Sequence, residues 1–222
     1  MRSRTKIICT IGPAVSSPEK ISQLIDAGMN VARLNFSHGT HEEHLAVIRS
    51  LKEAREKKKV SLAIMLDTKG PEIRLGAIEG DAVPLKAKQQ LLLVKETCVG
   101  NDERISLTPP HVLDDLKEGT ALLFDDGYIQ ASVVKKSSAG VLIEIQNEGV
   151  IKSHKGVNIP YVHINLPAMT EQDILDIRFG CKHDVDLIAA SFIRSKEHVL
   201  EIKKLLAAEK KSDILVIAKI EN

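Results

Sequence analysis

The chain has 222 residues, 43% of them hydrophobic and 27% charged, a globular balance with room for one large domain or two modest ones. Its formal net charge of +1 gives no electrostatic case for nucleic acid, and 3% aromatic content without Trp provides no base-stacking platform. No apolar run approaches the roughly 18 residues that argue for a membrane span. Three scattered cysteines, Cys9, Cys98 and Cys181, fit a reducing compartment rather than a disulfide framework. The expected location is cytoplasmic.

In chain order, Lys6–Ile11 reads as a first buried strand, ended by Gly12-Pro13. Ser17-Pro18-Glu19 opens a helix with a hydroxyl cap, Pro at its first position and an acid in its first turn, and Gly28 suits its end. Asn30–Phe36 is the second strand. Thr40 with Glu43 forms a capping box for a helix carrying Val47, Ile48, Leu51 and Ala54. The basic run Arg55–Lys59 reads as that helix's solvated end. Ser61–Leu66 is the third strand, apolar throughout as a strand covered on both faces should be. From about Leu75 to Asn165 the runs become short and β-rich, with turn signals at Asp126-Gly127 and Ala139-Gly140, which predicts a small all-β domain interrupting the α/β one. After Leu166-Pro167 the first pattern returns. Thr170 and Asp173 cap a helix, Leu187–Ala190 is a fourth strand, Ser195 caps another helix and Ile214–Ala218 is a fifth strand.

Strands alternating with helices imply a parallel sheet. With the β-rich region set aside, the remainder suffices for five strand–helix units, whereas an eight-fold barrel takes about 250 residues. A five-strand doubly wound sheet is therefore the structural rival, which spacing alone does not exclude.

In parallel α/β folds the chemistry sits where strands end. Those ends read Thr10-Ile11-Gly12-Pro13, Arg33 to His38, Asp67 to Arg74, Ser191 to Arg194, and Lys219-Ile220-Glu221-Asn222. Arg33 and Arg74 can grip phosphate oxygens through paired donors. Lys219 offers a compact cation for charge on a transferring group. Asp67 and Glu221 are hard oxygen ligands, with Asn35, Ser37 and Thr68 adding neutral oxygens. By contrast, His41 and His44 are spaced by three, not by the four of a zinc-protease helix, and read as helix-surface residues.

These segments, together with Lys155-Gly156-Val157-Asn158, resemble pyruvate kinase in order and separation along the whole chain. The resemblance implies a (β/α)8-type barrel, of which the first five strands are present, with a small β-barrel lid inserted after the third. On that reading residues 1–74 and 166–222 belong to the barrel domain and 75–165 to the lid. It implies phosphoryl transfer from phosphoenolpyruvate to ADP, giving pyruvate and ATP in glycolysis, with Mg2+ and K+. Carried over, Arg33 and Lys219 would be catalytic and bind substrate, beside Ser191 and Phe192. Asn35, Phe36, Ser37, His38, Arg74 and Lys155 would contact the nucleotide. Asn35, Ser37, Asp67 and Thr68 would hold potassium, and Glu221 magnesium. Family members are homo-oligomers at full length, and neither nucleic acid nor membrane is implied as a partner.

Blander readings stand beside these. Arg33 alone could be a structural ion-pair partner, Asp67 and Thr68 could cap the loop into the lid, and Lys152 and Lys155 could be solvated charges. Asp125 or Asp126 could reach the site if a lid swings. The family's later strands supply a second magnesium carboxylate and a proton-transfer threonine that this sequence does not contain, and a carboxyl-terminal domain follows them in the family. Three readings follow: an amino-terminal fragment of a pyruvate kinase, a truncated inactive protein retaining anion and nucleotide binding, or another barrel enzyme such as an aldolase-type lyase. The lid pattern and the Asp67–Arg74 segment disfavour the last. The 222 residues alone are therefore expected to show little or no turnover in a coupled assay with phosphoenolpyruvate, ADP, magnesium and potassium; near-normal turnover would overturn that expectation.

Overall fold

The computed structural model describes residues 4–162 and 164–221, so Asn222 of the last strand-end motif lies outside the described residues. These residues divide into two compact units, one drawn from Met1–Pro71 with Pro167–Glu221 and the other from Glu72–Leu166. Among the described residues no helix is long and apolar enough to cross a membrane.

The first unit alternates strands and helices: β1 (Ile7–Thr10), α1 (Pro18–Asp26), β2 (Met29–Asn35), α2 (His41–Lys58) and β3 (Ala63–Asp67). Its local signals operate as expected. Ser17 Oγ accepts from Lys20 N, both halves of the Thr40–Glu43 capping box are formed, and Gly28 takes the positive φ of 105° that ends α1.

The second unit follows with β4 (Arg74–Leu75), β5 (Ala82–Leu85), β6 (Gln90–Val94), β7 (Arg104–Thr108), the single-turn α3 (Val112–Asp115), β8 (Ala121–Phe124), β9 (Ile129–Ser137), β10 (Gly140–Ile145), β11 (Gly149–Lys152) and β12 (Val157–Asn158). Seven of its strands run in the order β12-β8-β9-β10-β6-β7-β4, and β5 pairs with β11. The ends of the seven-stranded sheet meet: Val157 N donates to Ile73 O, Leu75 N donates to Lys155 O, and Arg74 bridges Gly156. Such closure removes the open edges that a small sheet would otherwise expose. Phe124, Leu91, Leu93, Ile105 and Ile143 fill its interior. Asp126-Gly127 lies in the β8–β9 hairpin turn, where Gly127 N donates to Phe124 O.

The chain then re-enters the first unit as α4 (Glu171–Lys182), β13 (Leu187–Ala190), α5 (Lys196–Ala208) and β14 (Leu215–Ala218). The five strands of that unit form one parallel sheet, ordered β1-β2-β3-β13-β14. Ala32, Leu34, Ile64, Leu66, Ile188 and Ala190 belong to the core shared with Ile21, Ile48, Ile177 and Ile202 of the helices. Residues of the opposite parity form the other face. There the register sets Thr10 beside Arg33, Arg33 beside Met65, Asn35 beside Asp67 and Asp67 beside Ala189. That face also carries Ile8, Leu215 and Ile217, which are 52%, 65% and 39% exposed.

Three features differ from the sequence reading. The first strand is not buried: Ile7 and Ile8 are 45% and 52% exposed. Arg55 is not a solvated end: it donates to Asp186 Oδ2 and Leu62 O, while Lys59 takes a left-handed φ of 52° as the C-cap. Nor are His41 and His44 simple surface residues. His44 stacks on Phe36 with centroids 3.9 Å apart, and His41 stacks on Phe179 and hydrogen-bonds Asp176 Oδ1 at 2.7 Å. The Asp176 side chain is only 2% exposed. Its Oδ1 also accepts from Gln172, and among the described residues its Oδ2 has no hydrogen-bond partner. A buried carboxylate stripped of a donor retains its full desolvation cost. His41→Ala is therefore expected to lower stability by about 2 kcal/mol in urea unfolding; a change below about 0.5 kcal/mol, the ordinary scatter of surface substitutions, would show that the pair contributes nothing.

Candidate active site

The residues at the carboxyl ends of the five strands converge on one buried carboxylate. Asp67, the last residue of β3, is 2% exposed. Its Oδ2 accepts from Arg33 Nε at 2.5 Å, and its Oδ1 accepts from Lys219 Nζ at 2.8 Å. Arg33 arrives from the neighbouring β2, whereas Lys219 lies just past β14, two strands away on the other side. Arg33 also donates through Nη1 to Thr10 Oγ1 at 2.8 Å, so its guanidinium is fixed from β1 and β3 together.

Ser191 closes the group. Its Oγ donates to Thr68 O at 2.5 Å and accepts from Lys219 Nζ at 2.8 Å, while its backbone N donates to Thr68 Oγ1 at 3.2 Å. Phe192 follows with a φ of 55°, a left-handed conformation that an aromatic residue holds only when its surroundings impose it. Its N–H donates to Glu221 Oε2 at 2.9 Å, and Glu221 Oε1 stands 3.5 Å from Lys219 Nζ. Two cations and two carboxylates thus lie within one contact network.

Gly70 sits beneath it at a φ of +73°. Its N–H donates to Asp173 Oδ1 at 2.9 Å, and the other oxygen of that buried carboxylate accepts from Thr170 N and Thr170 Oγ1. The capping box of α4 therefore also anchors the loop that carries Thr68. Asp173 and Thr10 were read only as a cap and a strand end; their contacts to Gly70 and Arg33 have no local sequence signature.

Asn35 and Ser37 adjoin the cluster at the end of β2, where Ser37 N donates to Asn35 Oδ1 at 3.2 Å. Asn35 and His38 also line a cleft of about 660 Å³ with Thr10, Pro13, His44 and Ser50. The Phe36 side chain instead turns into the helix-packed core at 8% exposure, stacked on His44. The remaining predicted residues belong to the second unit. Arg74 is held in a two-pronged contact with Glu72, at 2.7 and 2.8 Å, and donates to His154 O; the Glu72 carboxylate raises its pKa. Lys155 pairs with Asp125 at 2.9 Å. Cys181 is buried among apolar side chains, which pushes its thiol pKa up and makes it unreactive. Among the described residues no three His, Cys, Asp or Glu side chains gather as a metal site.

This arrangement occurs on a chain that matches, over residues 2–222, the family model described as "Pyruvate kinase, barrel domain". The chain belongs to the pyruvate kinase family. Curated pyruvate kinases similar to it include that of Chlamydia trachomatis serovar L2, 52% identical over all of this chain and 46% of its own length. The pyruvate kinase of Geobacillus stearothermophilus is 48% identical over all of this chain and 38% of its own length, and that of Staphylococcus aureus is 45% identical over 99% and 38%. The chain thus spans less than half the length of these pyruvate kinases.

The tightest element of the cluster is also the most sensitive to change. A Cβ on Gly70 would lie 2.8 Å from Ser191 Cβ and 3.0 Å from Ser191 O, whereas one on Gly39 (φ +80°) would lie no nearer than 3.1 Å to Glu43 Oε2 and 3.4 Å to His44 Nε2. Gly39→Ala is expected to cost about 1 kcal/mol for the backbone conformation alone. Gly70→Ala adds overpacking and should cost about 3 kcal/mol in the same urea titration. Equal losses would show that the Gly70–Ser191 contact is not tight.

Proposed function

We propose that this chain carries the phosphoryl-handling part of a pyruvate kinase, acting in transfer from phosphoenolpyruvate to ADP. The observation that supports this best is the Arg33–Asp67–Lys219 arrangement: two cations held rigidly by one buried carboxylate, facing the end of a parallel sheet where ligands of such folds bind. Arg33 keeps guanidinium donors beyond those used by Asp67 and Thr10, and these bind the substrate phosphate. Lys219 holds its ammonium at the transferring group and stabilises the charge there. Ser191 and Phe192 line the substrate side, Asn35 and His38 border the cleft proposed for the nucleotide, and Ser37 is a further proposed contact. Arg74 and Lys155, of the second unit, are proposed as further nucleotide contacts.

The residues present fit the cations expected of the family. Arg33, Lys219, Asp67 and Glu221 together sum to no net charge, so a phosphate arriving among them needs positive charge brought with it. Glu221 accepts one backbone hydrogen bond and retains lone pairs for magnesium, which usually binds through one or two carboxylates and substrate phosphates. Asp67 offers about four acceptor positions, of which Arg33 and Lys219 take two, leaving room for potassium beside Asn35, Ser37 and Thr68. When bound, the cations would neutralise charge on the phosphate oxygens. The chain's own residues would orient the substrate and exclude water.

Direct binding tests this apart from turnover. In 31P titrations the chain is expected to bind phosphoenolpyruvate more tightly than inorganic phosphate. Arg33→Met should weaken that binding about tenfold or more, the size expected for losing a charge-assisted hydrogen bond. Binding indifferent to Arg33, or no preference over inorganic phosphate, would overturn the proposal.

A further inference from the structure

The hydrogen bonds around Ser191 assign it a role beyond lining a substrate pocket. A serine hydroxyl has one proton and two lone pairs. The Ser191 proton has two acceptors in view, Thr68 O at 2.5 Å and Asp67 Oδ1 at 3.4 Å, and the nearer takes it. With the proton committed to a backbone carbonyl, a lone pair is directed at Lys219 Nζ, 2.8 Å away. Rotation of the hydroxyl is blocked, and so is movement of the side chain. Ser191 is 4% exposed, its N–H is tied to Thr68 Oγ1, and Gly70 packs against its Cβ.

Consider what this does to Lys219. An ammonium on a four-carbon stem is a flexible point charge with three donors. Asp67 Oδ1 accepts from one donor and Ser191 Oγ from a second. Among the described residues the third has no acceptor nearer than Glu221 Oε1, at 3.5 Å. One anchor leaves a tetrahedral –NH3+ free to spin and swing about the contact; two anchors fix the direction of the third N–H. We infer that Ser191 is the positioning residue for Lys219: with Asp67 it locks the ammonium so that one donor is presented outward for an anionic ligand. The inference rests on the proposed function for the identity of that ligand, not for the lock itself.

The test reads the ammonium directly. The 15Nζ signal of Lys219, assigned by its loss in Lys219→Met, is followed in the unmodified chain, in Ser191→Ala and in Ser191→Cys, which nearly preserves volume while offering a much poorer acceptor. Loss of a hydrogen bond to a charged group predicts that exchange of the Lys219 ammonium protons with water rises about tenfold in both variants. Backbone signals of the helices should stay in place. An unchanged Lys219 signal in either folded variant overturns the inference. The two ideas fail separately: Arg33-dependent phosphoenolpyruvate binding with a Lys219 signal indifferent to Ser191 sinks only the lock, whereas a Ser191-dependent Lys219 signal without phosphoenolpyruvate binding sinks only the functional proposal.

Discussion

A carboxylate taken out of water must be compensated on the spot, and Asp67 is the carboxylate on which this site is organised. Left unpaired at its burial it would carry a desolvation cost of several kcal/mol; Arg33 and Lys219 compensate it from opposite sides. The consequence runs both ways. The cations stabilise Asp67, and Asp67 cancels their mutual repulsion, so that two positive side chains share a small space before any anion arrives. The arrangement is electrostatically preorganised, which is the form in which charge stabilisation costs least reorganisation when a ligand binds.

Why these side chains meet follows from the sheet. In a parallel sheet, register partners share a face, and the stagger seen here brings Thr10, Arg33, Asn35 and Asp67 to one end of it. The opposite parity is apolar and packs on helices. Alternation of period two thus separates a packing face from a chemical face along the same strands. The second unit solves its own burial problem differently, by joining both ends of a seven-stranded sheet through β4 and β12.

Much of this was legible in the chain itself. Leu187–Ala190 is a strand at the residues read for it, Asn30–Phe36 and Ile214–Ala218 fall within one residue of β2 and β14, and both capping boxes form. Strand ends could be read because parallel strands are bounded by sharp changes from apolar to polar residues. What escaped has physical reasons. Ala82–Leu85 contains Pro84 and is tolerated because it pairs only with Gly149–Lys152 in a two-stranded ribbon. His41 meets Asp176 across 135 residues and Gly70 meets Asp173 across 103. A single sequence contains no periodicity that reports such pairs, and an exposed-looking histidine on a polar helix gives no hint that its partner is buried.

The strand-end backbone explains why long, flexible side chains can serve at such a site. Main-chain pairing continues past the strands: Ile11 N donates to Arg33 O, Phe36 N to Asp67 O, Thr68 N to Ala189 O, Lys219 N to Ala190 O and Ile193 N to Lys219 O. Arg33, Asp67, Thr68 and Lys219 are thereby mounted on paired backbone rather than on a free loop. What remains mobile is the stem of each cation. Arg33 is held by its planar fork, with Thr10 and Asp67 taking donors whose directions are rigidly related. Lys219 has no such fork, and a single acceptor cannot orient an ammonium. The same requirement therefore has two solutions, intrinsic planarity for Arg33 and a second acceptor for Lys219, and the dense packing of Gly70 against Ser191 keeps that acceptor in place.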